Sequence, residues 1–123
     1  SQTVINTKDI KSKKATVFFY FDPNCEHCQK ETEDIIENKD ILSKTHFYFI
    51  SLDSIRKIKE FMQYYQLQSL PGITVASDYE FSSLNIFKIK SIPSSIVYNS
   101  GNQIVAIFEG RMTVAKLREV LNI

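Results

Sequence analysis

Cys25 and Cys28 are the two cysteines of the chain, spaced C-x-x-C with Glu26 and His27 between them. That spacing admits three chemistries: a short structural bridge, part of a metal site, or a dithiol that opens and closes. The surrounding stretch, FYFDPNCEHCQKE from Phe19 to Glu31, helps to separate them. An apolar run leads into Asp22-Pro23-Asn24 and a Glu- and Lys-rich segment follows, so a strand is expected to feed a helix with Cys25 at its N-terminus and Cys28 one turn inside. Unpaired N–H groups and the positive end of the helix dipole stabilise an anion there, which makes Cys25 the expected reactive thiolate. A spacing of three places both sulfurs on one side of the first turn, so a mixed disulfide formed at Cys25 can be resolved by Cys28.

As a staple the pair is weak, because a disulfide stabilises mainly by closing a long loop of the unfolded chain and this loop is very short. As a metal site it offers up to three ligands, Cys25, His27 and Cys28, where structural zinc takes four, usually as two spaced pairs. The other histidine, His46, begins an expected strand. Redox exchange is therefore the favoured reading, and a metal-binding or interaction module without redox turnover is the alternative. His27, directly before Cys28, is placed to favour the thiolate of Cys25, stabilise the reduced pair and make the disulfide form a stronger oxidant; a solvent-facing histidine is the plainer reading. Glu26 acts in the opposite sense, since a negative charge disfavours a neighbouring thiolate, and the direction of electron flow stays open.

The elements that must position this pair follow from periodicity. Ala15 to Phe21 (ATVFFYF) is β-branched and aromatic almost throughout, as suits a strand buried on both faces. Glu26 to about Leu42 is helical, with a break near Asn38, and carries Cys28, Ile35, Ile36 and Leu42 near one side. Thr45 to Leu52 is the next strand; Asp53-Ser54 caps a helix with Ile55, Ile58, Met62 and Tyr65 on its face. Leu70-Pro71-Gly72 ends that helix, Ile73 to Ala76 suits a short strand, and Phe81 to Ile89 a short helix. Ser95 to Tyr98 and Gln103 to Phe108 form a hairpin through Asn99-Ser100-Gly101-Asn102, and Thr113 caps a last helix with Val114, Leu117, Val120 and Leu121 inward. Alternating strands and helices closed by a hairpin imply an α/β fold: a mixed central sheet covered by helices on both faces.

The chain has 123 residues, 43% hydrophobic and 24% charged, which fits one domain, 1–123, around a single core, with 1–13 as a poorly ordered or edge segment. Fifteen basic against fourteen acidic residues, a formal charge of +1, provide no field that argues for nucleic acid or an anionic membrane. No apolar run approaches the roughly 20 residues that span a bilayer, and SQTVINTKDIKSKK lacks the apolar stretch of a secretory signal. The chain begins at Ser1 rather than Met, so an export signal or anchor could lie upstream.

The strand-CEHC-helix segment, Ser91-Ile92-Pro93-Ser94 before a strand, and the closing IVYNSGNQIVAIFEG resemble the thioredoxin-like superfamily over about Lys14 to Leu121. Within it, DPNCEHCQKE and the extra strand-helix segment between Ser54 and Ile89 are similar to the TlpA/ResA-type thiol-disulfide oxidoreductases. The resemblance implies that Cys25 is the exposed attacking sulfur and Cys28 the shielded resolving one. It implies a cis peptide bond before Pro93, with the backbone of Ile92 exposed to pair with an extended substrate. It also implies no bound cofactor, protein dithiols or disulfides as substrates, a membrane thiol-disulfide electron donor, and an extracytoplasmic bacterial setting such as the periplasm. Two departures stand out: Phe19 replaces the aspartate that many thioredoxins bury six residues before the first cysteine, and Asn24 replaces a tryptophan. Both argue against a general cytosolic thioredoxin. They leave the proton carrier open, with Asp22 as a candidate whose plainer role is in the turn.

Overall fold

The computed structural model describes residues 14–77 and 91–123. Five strands and four α-helices are present among them, with a one-turn 3-10 helix at Leu67–Ser69: β1 Ala15–Tyr20, α1 Glu26–Glu37, α2 Lys39–Lys44, β2 Thr45–Ser51, α3 Ile55–Tyr65, β3 Ile73–Ser77, β4 Ser94–Tyr98, β5 Ile104–Glu109 and α4 Val114–Leu121. The strands make one mixed sheet in the order β3-β2-β1-β4-β5. β1, β2 and β3 are parallel, and β4 runs antiparallel to both β1 and β5.

β1 lies at the centre and is buried along its whole length, as its unbroken apolar run requires. Because side chains alternate across a strand, Val17 and Phe19 point to one face and Phe18 and Tyr20 to the other. Val17 is level with Phe47 and Val97, and Phe19 with Phe49, so the first face is a continuous apolar layer. Ile35 and Cys28 of α1, Ile41 and Leu42 of α2, Phe61 of α3 and Leu117 of α4 close over it. Two right-handed crossovers taken in the same direction, β1 to β2 and β2 to β3, put their helices on the same side of the sheet. On the other face Phe18, Tyr20, Ile50, Ile96 and Tyr98 form a second cluster. The helix expected at Phe81–Ile89 and the segment 1–13 lie outside the described residues.

The break expected near Asn38 is real. The Asn38 N–H donates to the Ile35 carbonyl at 3.2 Å and its amide Nδ2 to the Asp34 carbonyl at 2.7 Å, so side chain and cap together end α1. Ser54 and Thr113 cap α3 and α4 through their hydroxyls, accepting from the N–H of Lys57 and Lys116. The inward stripe of α3 differs from the expected one: Ile58 and Phe61 are buried, while Ile55, first after the cap, is 38% exposed because the first turn lies beyond the packed stripe.

Candidate active site

β1 ends at Tyr20, and the chain turns through Asp22-Pro23-Asn24. The Asp22 carboxylate accepts the N–H of Asn24 at 2.9 Å, and its carbonyl accepts the N–H of Cys25 at 3.0 Å. Asp22 therefore holds the turn. Cys25 follows with extended backbone, φ −86° and ψ 118°, as the N-cap of α1. Its Sγ accepts the N–H of Cys28 at 3.2 Å, taking the place that a serine or aspartate oxygen usually fills at a helix start. Because that N–H is one of the unpaired donors of the first turn, charge on the sulfur strengthens the bond.

The two sulfurs differ in surroundings. Cys25 is partly exposed, whereas Cys28 is 0% exposed and belongs to the first core. Burial, and then the hydrogen bond with Cys25, push the Cys28 thiol well above the ordinary range. A neutral, shielded Cys28 stands behind an accessible Cys25.

One functional candidate escaped the sequence reading. Glu31, one turn beyond Cys28 on α1, is also 0% exposed. Its Oε1 accepts the N–H of Met112 at 2.9 Å and its Oε2 the hydroxyl of Ser95 at 3.1 Å. Burial pushes its carboxyl up to about 7, although both hydrogen bonds and the charge of Arg111 act to lower it. The signal was present in the sequence: positions 28, 31 and 35 fall on one helical stripe, and a glutamate between Cys28 and Ile35 on that stripe has to be buried.

Of the other expected site residues, His27 is exposed in the first turn of α1. The Ile92–Pro93 peptide bond is cis. Pro93 is buried and its carbonyl accepts the N–H of Gly110 at 2.8 Å, a residue at φ 96° where a side chain would be strained. Ser94 pairs with Tyr20, so the segments leading away from that pair, Pro93-Ile92 and Phe21-Asp22, adjoin. Ile92, 39% exposed, lines a cleft of about 350 Å³ together with Tyr20, Phe21 and Asp22. The fold thus brings Cys25, Cys28 and the Ile92-Pro93 corner to one end of β1. Among the described residues, no group of three or more histidine, cysteine, aspartate and glutamate side chains is placed to hold a metal ion, and no helix is long and apolar enough to cross a membrane.

Comparison with known proteins agrees with this architecture. The family model of the thioredoxin-like domain matches residues 2–122. No curated protein matches the chain. Among solved structures, DsbF of MTB, in mixed oxidized and reduced forms, superposes with a TM-score of 0.76 at 20% identity over 89% of this chain and 80% of that one. StoA from Bacillus subtilis gives 0.70 at 18% identity, over 89% of this chain and 84% of its own. A secreted Mycobacterium tuberculosis disulfide oxidoreductase homologous to E. coli DsbE gives 0.72 at 14% identity, over 89% and 81%.

Proposed function

The chain belongs to the thioredoxin-like domain family, and from that premise we propose that it is a TlpA/ResA-type thiol-disulfide oxidoreductase acting on other proteins. The observation that carries this reading is the pairing of a partly exposed Cys25, whose sulfur accepts the Cys28 N–H at 3.2 Å at the mouth of α1, with a fully buried Cys28.

In the reducing direction the Cys25 thiolate attacks one sulfur of a client disulfide, and the other client sulfur leaves as a thiolate. Cys28 then gives up its proton and attacks the Cys25 sulfur. The Cys25–Cys28 disulfide forms, the second client sulfur departs, and two electrons have passed from the pair to the client. Burial makes the Cys28 proton hard to release into solvent, and Glu31 is the nearby group suited to take it: it lies on the same helical stripe, and burial pushes its carboxyl up to about 7. Run backward, the same steps oxidise a client dithiol. The client segment is taken up beside Ile92 and Pro93, where exposed backbone pairs with an extended chain, and His27 tunes the thiolate from the first turn. That one similar structure is a secreted disulfide oxidoreductase supports an extracytoplasmic place; there a membrane thiol-disulfide protein supplies the electrons.

The test is entrapment. A Cys28→Ser variant incubated with a disulfide-bonded protein should accumulate a mixed disulfide on Cys25 that the wild type does not retain, and Cys25→Ser should form none. A wild-type chain that exchanges with no disulfide would overturn the reading.

A further inference from the structure

A second cleft adjoins the Cys25 turn, distinct from the one beside Ile92. It measures about 400 Å³ and opens between Pro23 and Asn24, just before Cys25, and one side of α3. Its walls are built rather than incidental. Tyr65 donates its hydroxyl to the Glu33 carboxylate at 2.8 Å, tying α3 to α1 and orienting that carboxylate, while Gln29 holds the near wall by donating to the Pro23 carbonyl at 2.9 Å. An aromatic ladder runs outward from the end of β1: Phe21 to Phe61 at 4.7 Å, Phe61 to Tyr65 at 5.0 Å, Tyr65 to Tyr64 at 4.8 Å. It ends in Tyr64, which is 79% exposed.

Charge completes the description. Glu33 and Glu60 bring two carboxylates to the cleft, beside Lys57. Glu60 already receives a guanidinium, that of Arg56 one turn earlier, at 3.2 Å. Tyr65 and Arg56 each engage only the Oε2 of their carboxylate; a planar cation that stacks on a ring while bonding carboxylate oxygens at its edge is an arginine side chain, lysine has no plane to stack, and a neutral aromatic brings no charge to the Oε1 atoms.

We propose that this cleft is a specificity subsite that takes an arginine of the client polypeptide next to the cysteine engaged by Cys25, its guanidinium stacking on Tyr64 and pairing with Glu33 and Glu60. The assignment rests on the exchange reading above and adds which clients are preferred.

The experiment uses short peptides whose single cysteine is disulfide-bonded to thionitrobenzoate, identical except for arginine, lysine or glutamate beside the cysteine. Release of the coloured thiol by the reduced protein is followed at low salt. The arginine peptide should react about tenfold faster than the glutamate peptide and severalfold faster than the lysine peptide. Glu33→Gln combined with Tyr64→Ala should bring the arginine-to-glutamate ratio down to about 2, and Tyr64→Phe, which keeps the ring, should preserve it. Being a ratio within one variant, this readout does not move with a loss of folded protein. Equal rates for arginine and glutamate, equal rates for arginine and lysine, or a preference that survives the double substitution would overturn the subsite. Inertness of the wild type toward hydroxyethyl disulfide, which is too small to need any subsite, would instead overturn the exchange chemistry beneath it.

Discussion

A sulfur in an N-cap position serves structure and chemistry together: Cys25 closes the first turn of α1 by accepting the Cys28 N–H, and the bond is strongest when the sulfur is ionised. Glu31 has the opposite circumstance, a carboxyl kept from water and raised from 4.5 to about 7. It binds its proton more tightly in the folded than in the unfolded chain, so its contribution to stability is fully present below pH 4.5 and is lost as pH rises through about 7. Glu31→Gln should remove that slope. Urea unfolding of wild type and variant across this range should show the wild type losing up to about 3 kcal/mol relative to the variant between the acid and neutral ends. The same variant should slow resolution of the mixed disulfide near neutral pH, because no carboxylate is left to take the Cys28 proton. His27→Pro should lower the reduction potential of the pair, measured against a glutathione buffer; an unchanged value would remove His27 from the site.

Among the elements, α1 carries the redox pair and also fastens the C-terminal part of the chain. Glu31 accepts the Met112 N–H, Asp34 accepts the Val114 N–H at 2.9 Å, and Asp40 of α2 pairs with Arg118 at 2.9 Å. Where the chain enters β3, the Gly72 carbonyl accepts the Phe47 N–H at 2.8 Å. A Cβ added at Gly72 would meet the Leu42 carbonyl oxygen at 2.6 Å and the Leu42 Cβ at 2.9 Å. Gly72→Ala must therefore push α2 away from the β3 entry, and a loss of about 1–3 kcal/mol is expected. A lower urea midpoint at unchanged m-value would record it.

Across the whole molecule, the parallel strands β1 and β2 end on the side where Cys25, Cys28 and the Ile92-Pro93 corner lie, and a sheet packed on both faces of β1 keeps that corner in place. Much of this was legible. The apolar run ATVFFYF required a central strand, the CEHC spacing required a helix mouth, and Asn99-Gly101 marked the hairpin, each because a local residue pattern has one inexpensive backbone solution. Glu31 was not read, because a charged residue is taken as surface until its hydrogen-bond partners are known, and Ser95 and Met112 lie 64 and 81 residues away. Phe61 was missed on α3, since Ile55, Ile58, Met62 and Tyr65 already made a helical stripe and only the sheet beneath decides which edge of that stripe is buried. The α3 cleft was equally hidden, because its two walls come from helices separated by a strand.

Native-state alkylation of the fully reduced protein at pH 7, with the modified cysteine identified by mass spectrometry, tests most directly whether Cys25 is the reactive sulfur and Cys28 the shielded one. Cys25 is expected to react at least about a hundred times faster than Cys28, since only the first is both reachable and held by the helix mouth. Equal rates at the two positions, or faster modification of Cys28, would contradict the division of labour between them.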